Sequence, residues 1–323
     1  MCTAISFQTK DHYFGRTLDV DHMYHEAVVI MPRNYELRFR NGNVLSSHYA
    51  MIGMATVSDE YPLYYDATNE YGLSMAGLNF PGNAVYLPVR QNADNISPFE
   101  LIAWILCQCR SVQHAQQLLR TINIAEIPFS DAYALTPLHW IISDRTGSIV
   151  VEPRADGLHV FDNPIGILTN SPPFDFHIYN LSNYLNLTAD EPENRFSNKV
   201  QLNPASHGMG AFGLPGDLSS ASRFVKAAFV KLNSVCGSTE NESVSQFFHV
   251  LNSVAQQRGC VCTKSGYVIT VYTSCCNADT GVYYYTTYEN SQITAVNMHS
   301  VDLQNTQLYV YALVKEQQIN RIN

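Results

Sequence analysis

The pattern of apolar and polar positions begins as β-structure. Residues 3–8 and 13–17 read as a hairpin, and residues 26–31, 49–57 and 72–78 continue the run of β-branched and aromatic side chains, so a sheet comes first. The period then lengthens. Ser97, Pro98 and Glu100 form a helix-start signal, with an N-cap, a proline at the first helical position and a capping-box glutamate leading into the apolar run 99–107. A second helix is expected over 112–122. Strands return at 138–143, 148–152 and 158–161, and a helical period at 174–185.

Residues 186–218 are polar, rich in Pro, Asn and Gly, and aperiodic, which reads as an excursion from the core. Two helices (221–235 and 243–255) and four strands (267–273, 281–288, 293–298 and 308–313) complete the chain. The order of sheet, helix pair, sheet, helix pair, sheet suits an α+β protein with two mixed sheets stacked face to face and helices outside. No repeat, low-complexity tract or break in composition divides residues 1–323, so one domain is expected.

Composition narrows the partners. With 46% hydrophobic and 15% charged residues over 323 positions, the chain can bury a large core. Its net charge of −9 is dispersed and no basic cluster carries interleaved aromatics, which argues against nucleic acid. The apolar stretch 101–107 is too short to cross a bilayer. The first residues lack the basic start and apolar run of a signal peptide, so a cytoplasmic location is expected.

Eight cysteines without an export signal fit reduced thiols. Cys107 and Cys109, in an apolar helix, read as small buried hydrophobes. Cys260, Cys262, Cys275 and Cys276 form a C-x-C and C-C cluster that admits a soft metal or a redox pair. Neither spacing is that of a structural zinc site, however, and Cys275 and Cys276 would point to opposite faces of a continuing strand.

Cys2 has a different potential. Removal of Met1 leaves a thiol and a free α-amine on one residue, a nucleophile with its own base, since the amine titrates near ~7.7–8.0 and the thiol near ~8.5. Without such trimming it is an ordinary terminal cysteine. If the opening strands pair, Arg16 and Asp19 fall beside it: a guanidinium favours the thiolate and a carboxylate orients the amine. An ordinary strand-end salt bridge is the alternative for this pair. His139, inside an apolar strand, is expected to be a satisfied core residue rather than a base for Cys2.

The opening Met-Cys-Thr-Ala-Ile, with Tyr-Phe-Gly-Arg-Thr-Leu-Asp at 13–19, resembles the choloylglycine hydrolases, the family of bile salt hydrolases and penicillin V acylases. The resemblance runs through 75–82, 168–172, 213–217, 222–224 and 284–290, in order and over essentially the whole chain. It implies a four-layer αββα sandwich of the N-terminal nucleophile hydrolase type. It also implies a catalytic set of Cys2, Arg16, Asp19, Asn79, Asn170 and Arg223, with Asn79 and Asn170 as candidate donors to a tetrahedral oxyanion. That chemistry requires no metal or organic cofactor.

By the same resemblance the substrate pocket is framed by three loops: Met23 and Tyr24; residues 61–65 with Tyr61 and Tyr65; and 127–138 with Ile127 and Leu135. Asn79 and its Gly-Leu-Asn-Phe-Pro-Gly context resemble the bile salt branch, implying hydrolysis of glycine- or taurine-conjugated bile acids. Penicillin V acylase is the alternative within the family, and a non-catalytic thiol or metal protein built on Cys260–Cys276 the alternative outside it. A homotetramer with 186–218 reaching a neighbouring subunit is also implied. Cys2→Ala is expected to abolish amide hydrolysis, measured as amine release; undiminished function in that variant would point to the non-catalytic alternative.

Overall fold

The computed structural model describes residues 1–131 and 133–323. Two antiparallel sheets form its centre. The first has six strands, in the order Ile167–Leu168, Cys2–Gln8, His12–Val20, Ile269–Asn277, Val282–Thr287 and Thr294–Asn297. The second has eight, in the order Gly157–Asp162, Gly147–Arg154, Leu138–Asp144, Ser74–Asn79, Tyr61–Asn69, Met51–Ser58, Ala27–Met31 and Tyr309–Ala312.

Helices cover the outer faces. α1 (Leu101–Leu106) and α2 (Val112–Leu119) pack on the eight-stranded sheet. There Leu101, Ile105 and Leu119 share a core with Val29, Met75 and Val151. α3 (Phe174–Asn180) leads into the 186–218 excursion; α4 (Ser220–Asn233) and α5 (Glu240–Asn252) cover the six-stranded sheet. Phe224 and Phe247 belong to the same core as Ile5 and Phe7, and the Phe7 and Phe247 rings meet edge to face at 6.3 Å. The architecture is therefore the αββα sandwich.

Local chemistry explains where the elements depart from expectation. Residues 61–65 are not a loop but the start of the long strand Tyr61–Asn69, whose run of tyrosines and a proline obscures its alternation. The Ser97 capping box does not form. Glu100 itself precedes α1, and its buried carboxylate accepts the Arg40 backbone N–H at 2.9 Å. Burial raises the Glu100 pKa to about 7. The capping box that does form belongs to α5, where Thr239 and Glu242 reciprocate. α2 ends at Leu119, and Ile122–Ile124 is a short strand. The 174–185 segment divides into α3 and a 3₁₀ turn, Leu181–Tyr184.

The end of the seam between the sheets away from Cys2 is closed by a polar plug. His12, 2% exposed, places Nε2 3.1 Å from both the Ser6 and Ser143 hydroxyls. Burial lowers its pKa to about 4, against opposing pulls from Asp279 and Asp144. A histidine whose pKa is depressed by folding favours the native state while neutral, and this contribution fades as pH falls from about 6.5 towards 4. His12→Gln is expected to remove about 3 kcal/mol of that pH dependence, seen as a flatter urea-midpoint profile between pH 7 and 4. A parallel profile would refute it.

Candidate active site

The first hairpin sorts the chemistry onto two faces. Cys2 pairs with Leu18, Thr3 with Thr17 and Ala4 with Arg16. Strand alternation sends Cys2, Arg16 and Leu18 into the seam between the sheets, and Thr3, Thr17 and Asp19 towards α4. Arg16 is 1% exposed and is satisfied by backbone carbonyls: its own neighbour Thr17 at 3.1 Å, Tyr65 at 3.2 Å and Gly77. Burial works against its charge, but Cys2, Tyr272, Asp66 and Asp19 outweigh it and hold the pKa above the usual arginine value.

The Tyr65 carbonyl is available because of a bulge. Met54 pairs with Asp66 and Ala55 with Tyr64, leaving Tyr65 as the extra residue. Gly77 matters for a different reason: a Cβ there would stand 3.0 Å from Trp140 Nε1, so the strand passes Trp140 closely only as glycine.

Beneath α4, Arg223 is 1% exposed and forms a brace. Its Nη1 donates to the Cys2 carbonyl and, at 2.7 Å, to Thr3 Oγ1; Nη2 donates to Asn170 Oδ1 at 2.7 Å and Nε to the Leu218 carbonyl at 3.1 Å. Nη1 is also 4.0 Å from Asp19 Oδ2. Burial pulls the Arg223 pKa down while Asp19 and Cys2 support its charge. Asp19 is fully buried. Burial raises its pKa, and Arg223, the amino terminus, Thr270 and Thr17 oppose that rise.

Asn170 completes the brace. Its Oδ1 accepts the Cys2 N–H at 2.7 Å, and its Nδ2 donates to the Asn79 carbonyl at 2.7 Å. The oxygen, not the NH₂, therefore faces Cys2, contrary to the expectation of a free oxyanion donor. The Asn170 carbonyl meets His177 Nε2 at 2.9 Å, and its N–H donates to Ser220 Oγ at 2.8 Å. Asn79 is exposed at the cavity wall, and among the described residues its side-chain amide makes no hydrogen bond. His139 is fully buried between Glu152 (3.1 Å) and the Thr169 carbonyl (2.9 Å) and is stacked on Phe80, as a satisfied core residue.

A cavity of about 340 Å³ opens on Cys2. Its wall includes Leu18, Val20, Tyr24, Leu63, Tyr65, Asn79, Phe99, Ile102, Tyr133, Leu138 and Trp140, and it is predominantly apolar. Met1 also lines it, with its ammonium on the Asp19 carbonyl and its own carbonyl accepting Asp19 N–H at 2.9 Å. Of the expected pocket residues, Tyr24 and Tyr65 line this cavity. Met23, Tyr61, Ile127 and Leu135 do not. Tyr61 turns to the other face of its sheet, between Phe39 and Phe129, and Leu135 packs against the α1–α2 core. Met23 is exposed beside Lys315. Phe99 and Ile102, read only as helix residues, reach the wall because α1 packs over the strands Tyr61–Asn69 and Ser74–Asn79, which contribute Leu63, Tyr65 and Asn79 to it.

Cys260, in a turn, and Cys262, in an isolated bridge to Tyr267, are exposed, whereas Cys275 and Cys276 are buried within the strand Ile269–Asn277. Among the described residues, no three His, Cys, Asp or Glu side chains converge as metal ligands. No helix described is long and apolar enough to cross a membrane.

An αββα sandwich with a cysteine at the head of its first strand defines a cysteine N-terminal nucleophile hydrolase. Residues 2–311 match the model of the linear amide C–N hydrolases, choloylglycine hydrolase family. The chain is 50% identical to a bile salt hydrolase/transferase of Lactiplantibacillus plantarum over 324 residues, covering all of both chains. It superposes on the C2A mutant of conjugated bile acid hydrolase from Clostridium perfringens with a TM-score of 0.93 at 38% identity, again over all of both chains. Penicillin V acylase from Agrobacterium tumefaciens shares the fold, with a TM-score of 0.73 at 18% identity over 98% of this chain and 92% of that one. The chain belongs to the choloylglycine hydrolase family and is an amidohydrolase.

Proposed function

We propose that this enzyme hydrolyses the amide of glycine- or taurine-conjugated bile acids, acting once Met1 is removed. The observation that carries the reading is the apolar, tyrosine-edged cavity opening on Cys2, which suits a rigid, largely apolar acyl group. Relatives at 50% and 40% identity, both bile salt hydrolase/transferases, support it.

In this reading the Cys2 amine takes the thiol proton and the thiolate attacks the amide carbon. The Asn79 amide, free and on the cavity wall, donates to the oxyanion. Asn170 Oδ1, at 2.7 Å from the Cys2 nitrogen, orients the amine, and Arg223 fixes Asn170. Arg16 favours the thiolate from the same face of the hairpin. The protonated amine gives its proton to the departing amino acid, leaving a thioester. Water, deprotonated by the same amine, attacks the thioester to release the bile acid and regenerate the thiol. An amine in place of water would give transfer, the second activity in those relatives' names.

Residues 1–323 form one domain in this reading, located in the cytoplasm, where the eight free cysteines described would remain reduced. The 186–218 excursion exposes Phe196 (84%), Phe212 (80%) and Leu202 (46%). Such a surface supports its role as the contact of a homotetramer.

The test of substrate is amine release from glycocholate and from penicillin V by protein with a confirmed N-terminal Cys2. Faster release from glycocholate is expected; preference for penicillin V would overturn the substrate while leaving the nucleophile. Shortening 186–218 is expected to lower the sedimentation coefficient to that of smaller species, and unchanged tetramers would remove the excursion from the interface.

A further inference from the structure

The buried carboxylate of Asp19 lies against two threonine hydroxyls, each of which also accepts a backbone N–H. Thr270 Oγ1 stands 2.7 Å from Asp19 Oδ1. The same oxygen accepts the backbone N–H of Gln256 at 2.7 Å, and the Thr270 N–H donates to the Gln256 carbonyl at 3.1 Å. An oxygen already accepting from Gln256 directs its own hydrogen elsewhere, and the ionised carboxylate can only accept it. Thr17 repeats the device on the other side: Oγ1 accepts the Thr3 N–H at 3.1 Å and donates to Asp19 Oδ2 at 3.1 Å.

The register of the sheet shows how Thr270 comes to be there. The strand Ile269–Asn277 pairs Tyr272 with Leu18 but Thr270 with Asp19, so Val271 is an extra, bulged residue. Regular pairing would set Val271 opposite Asp19 and leave the carboxylate against an isopropyl group. The bulge substitutes a hydroxyl, which is the way bulges re-aim a side chain.

We infer that Thr270 is a positioning residue for the hydrolysis: its oriented hydroxyl, delivered by the bulge at Val271 and aimed by the Gln256 N–H, fixes Asp19 in its ionised form beneath the nucleophile. The inference rests on the proposed function and adds to it a part for Asp19, the carboxylate expected from the hairpin pairing to orient the Cys2 amine. Three other charges bear on Asp19: Arg223 from α4, the amino terminus of the first strand, and Arg16 on its own strand. None of them donates a hydrogen bond to its side chain, whereas the two threonines do. Since burial drives the Asp19 pKa up and Thr270 counters it, loss of the hydroxyl extends protonation to higher pH.

The experiment compares Thr270→Val, Thr270→Ser and Asp19→Asn with the parent, each with Cys2 confirmed at the N-terminus, by kcat and KM for glycocholate from pH 4 to 8. Thr270→Val is expected to lower kcat about tenfold or more at neutral pH. KM should change little, and the acid limb of the kcat profile should move to higher pH. Thr270→Ser is expected to restore both the rate and the limb. A Thr270→Val enzyme with the parent's limb and rate overturns the inference, as does a loss that serine does not rescue while its melting temperature equals the parent's. If Thr270→Val does not fold, Thr270→Ala, which also lacks the hydroxyl, takes its place: a lowered kcat with the limb at higher pH, both restored in Thr270→Ser, supports the inference, and the parent's rate and limb overturn it. Asp19→Asn separates the two readings: inactive Asp19→Asn with unaffected Thr270→Val refutes only the hydroxyl's role, whereas fully active Asp19→Asn refutes the role of Asp19 itself.

Discussion

The structure depends on burying charge on both faces of the hairpin that begins with Cys2. Arg16 and Asp66 lie in the seam between the sheets; Asp19 and Arg223 lie beneath α4, and all four are 2% exposed or less. An isolated ion taken out of water costs several kcal/mol even after the protein relaxes, so each must be met by oppositely charged or hydrogen-bonding neighbours. Asp66 is met by the hydroxyls of Tyr272 and Tyr283 at 2.7 Å and Ser274 at 3.2 Å. Arg16 is met by three carbonyls from both sheets, and Arg223 by four oxygens. These donors and acceptors come from strands and helices far apart in sequence, so the charges cannot be solvated by protein until both sheets and α4 have assembled around them.

The same requirement fixes the nucleophile. A chain terminus ordinarily frays, because few contacts restrain it. Here the first peptide units are tied to Arg223, Asn170 and Asp19 from one side and to the pocket wall from the other. Asn170 links three of these parts through one amide, accepting from Cys2 and Arg223 and donating to the Asn79 backbone. Asn79 is thereby set at the cavity wall with its own amide free. Met1, bound through its ammonium and carbonyl to the Asp19 backbone, lies in the wall of the cavity.

How far this was legible in the sequence follows from the range of the interactions. The layer order was legible because each layer carries its own local period, and the hairpin of Cys2, Arg16 and Asp19 because its pairing is nearly local. Asn79, Asn170 and Arg223 could be joined to it only by resemblance, since nothing local states that 53 residues separate two partners of one hydrogen bond. The strand Tyr61–Asn69 was missed because a bulge at Tyr65 breaks the period of two and a run of tyrosines reads the same on either face. For that reason Tyr61 and Tyr65, read as one loop, fall on different sides of a sheet. Glu100 was misread because Ser-Pro-Phe-Glu satisfies the capping rule locally, while the Ser97 hydroxyl finds no partner among the described residues, α1 begins only after Glu100, and the carboxylate accepts the Arg40 N–H, 60 residues away. Thr270 carries no sequence signal, since its role arises from a register shift.

Stability alone does not account for such a network. Replacing buried ion pairs by well-packed apolar residues is frequently neutral or stabilising, and the surrounding core of Ile5, Phe14, Leu78 and Ile141 shows that this fold accommodates apolar packing in the same layer. What an apolar replacement could not supply is direction. Arg16 and Arg223 each present several N–H groups in a fixed plane, and the hydroxyls at Asp19 have their hydrogens aimed by backbone N–H groups. A preorganised polar site needs no reorientation as charge develops, and that is the term that most lowers barriers for acyl transfer. The cost of burying four charges is thus borne by an extensive two-sheet core, and the return is a terminal cysteine held in place without a histidine partner.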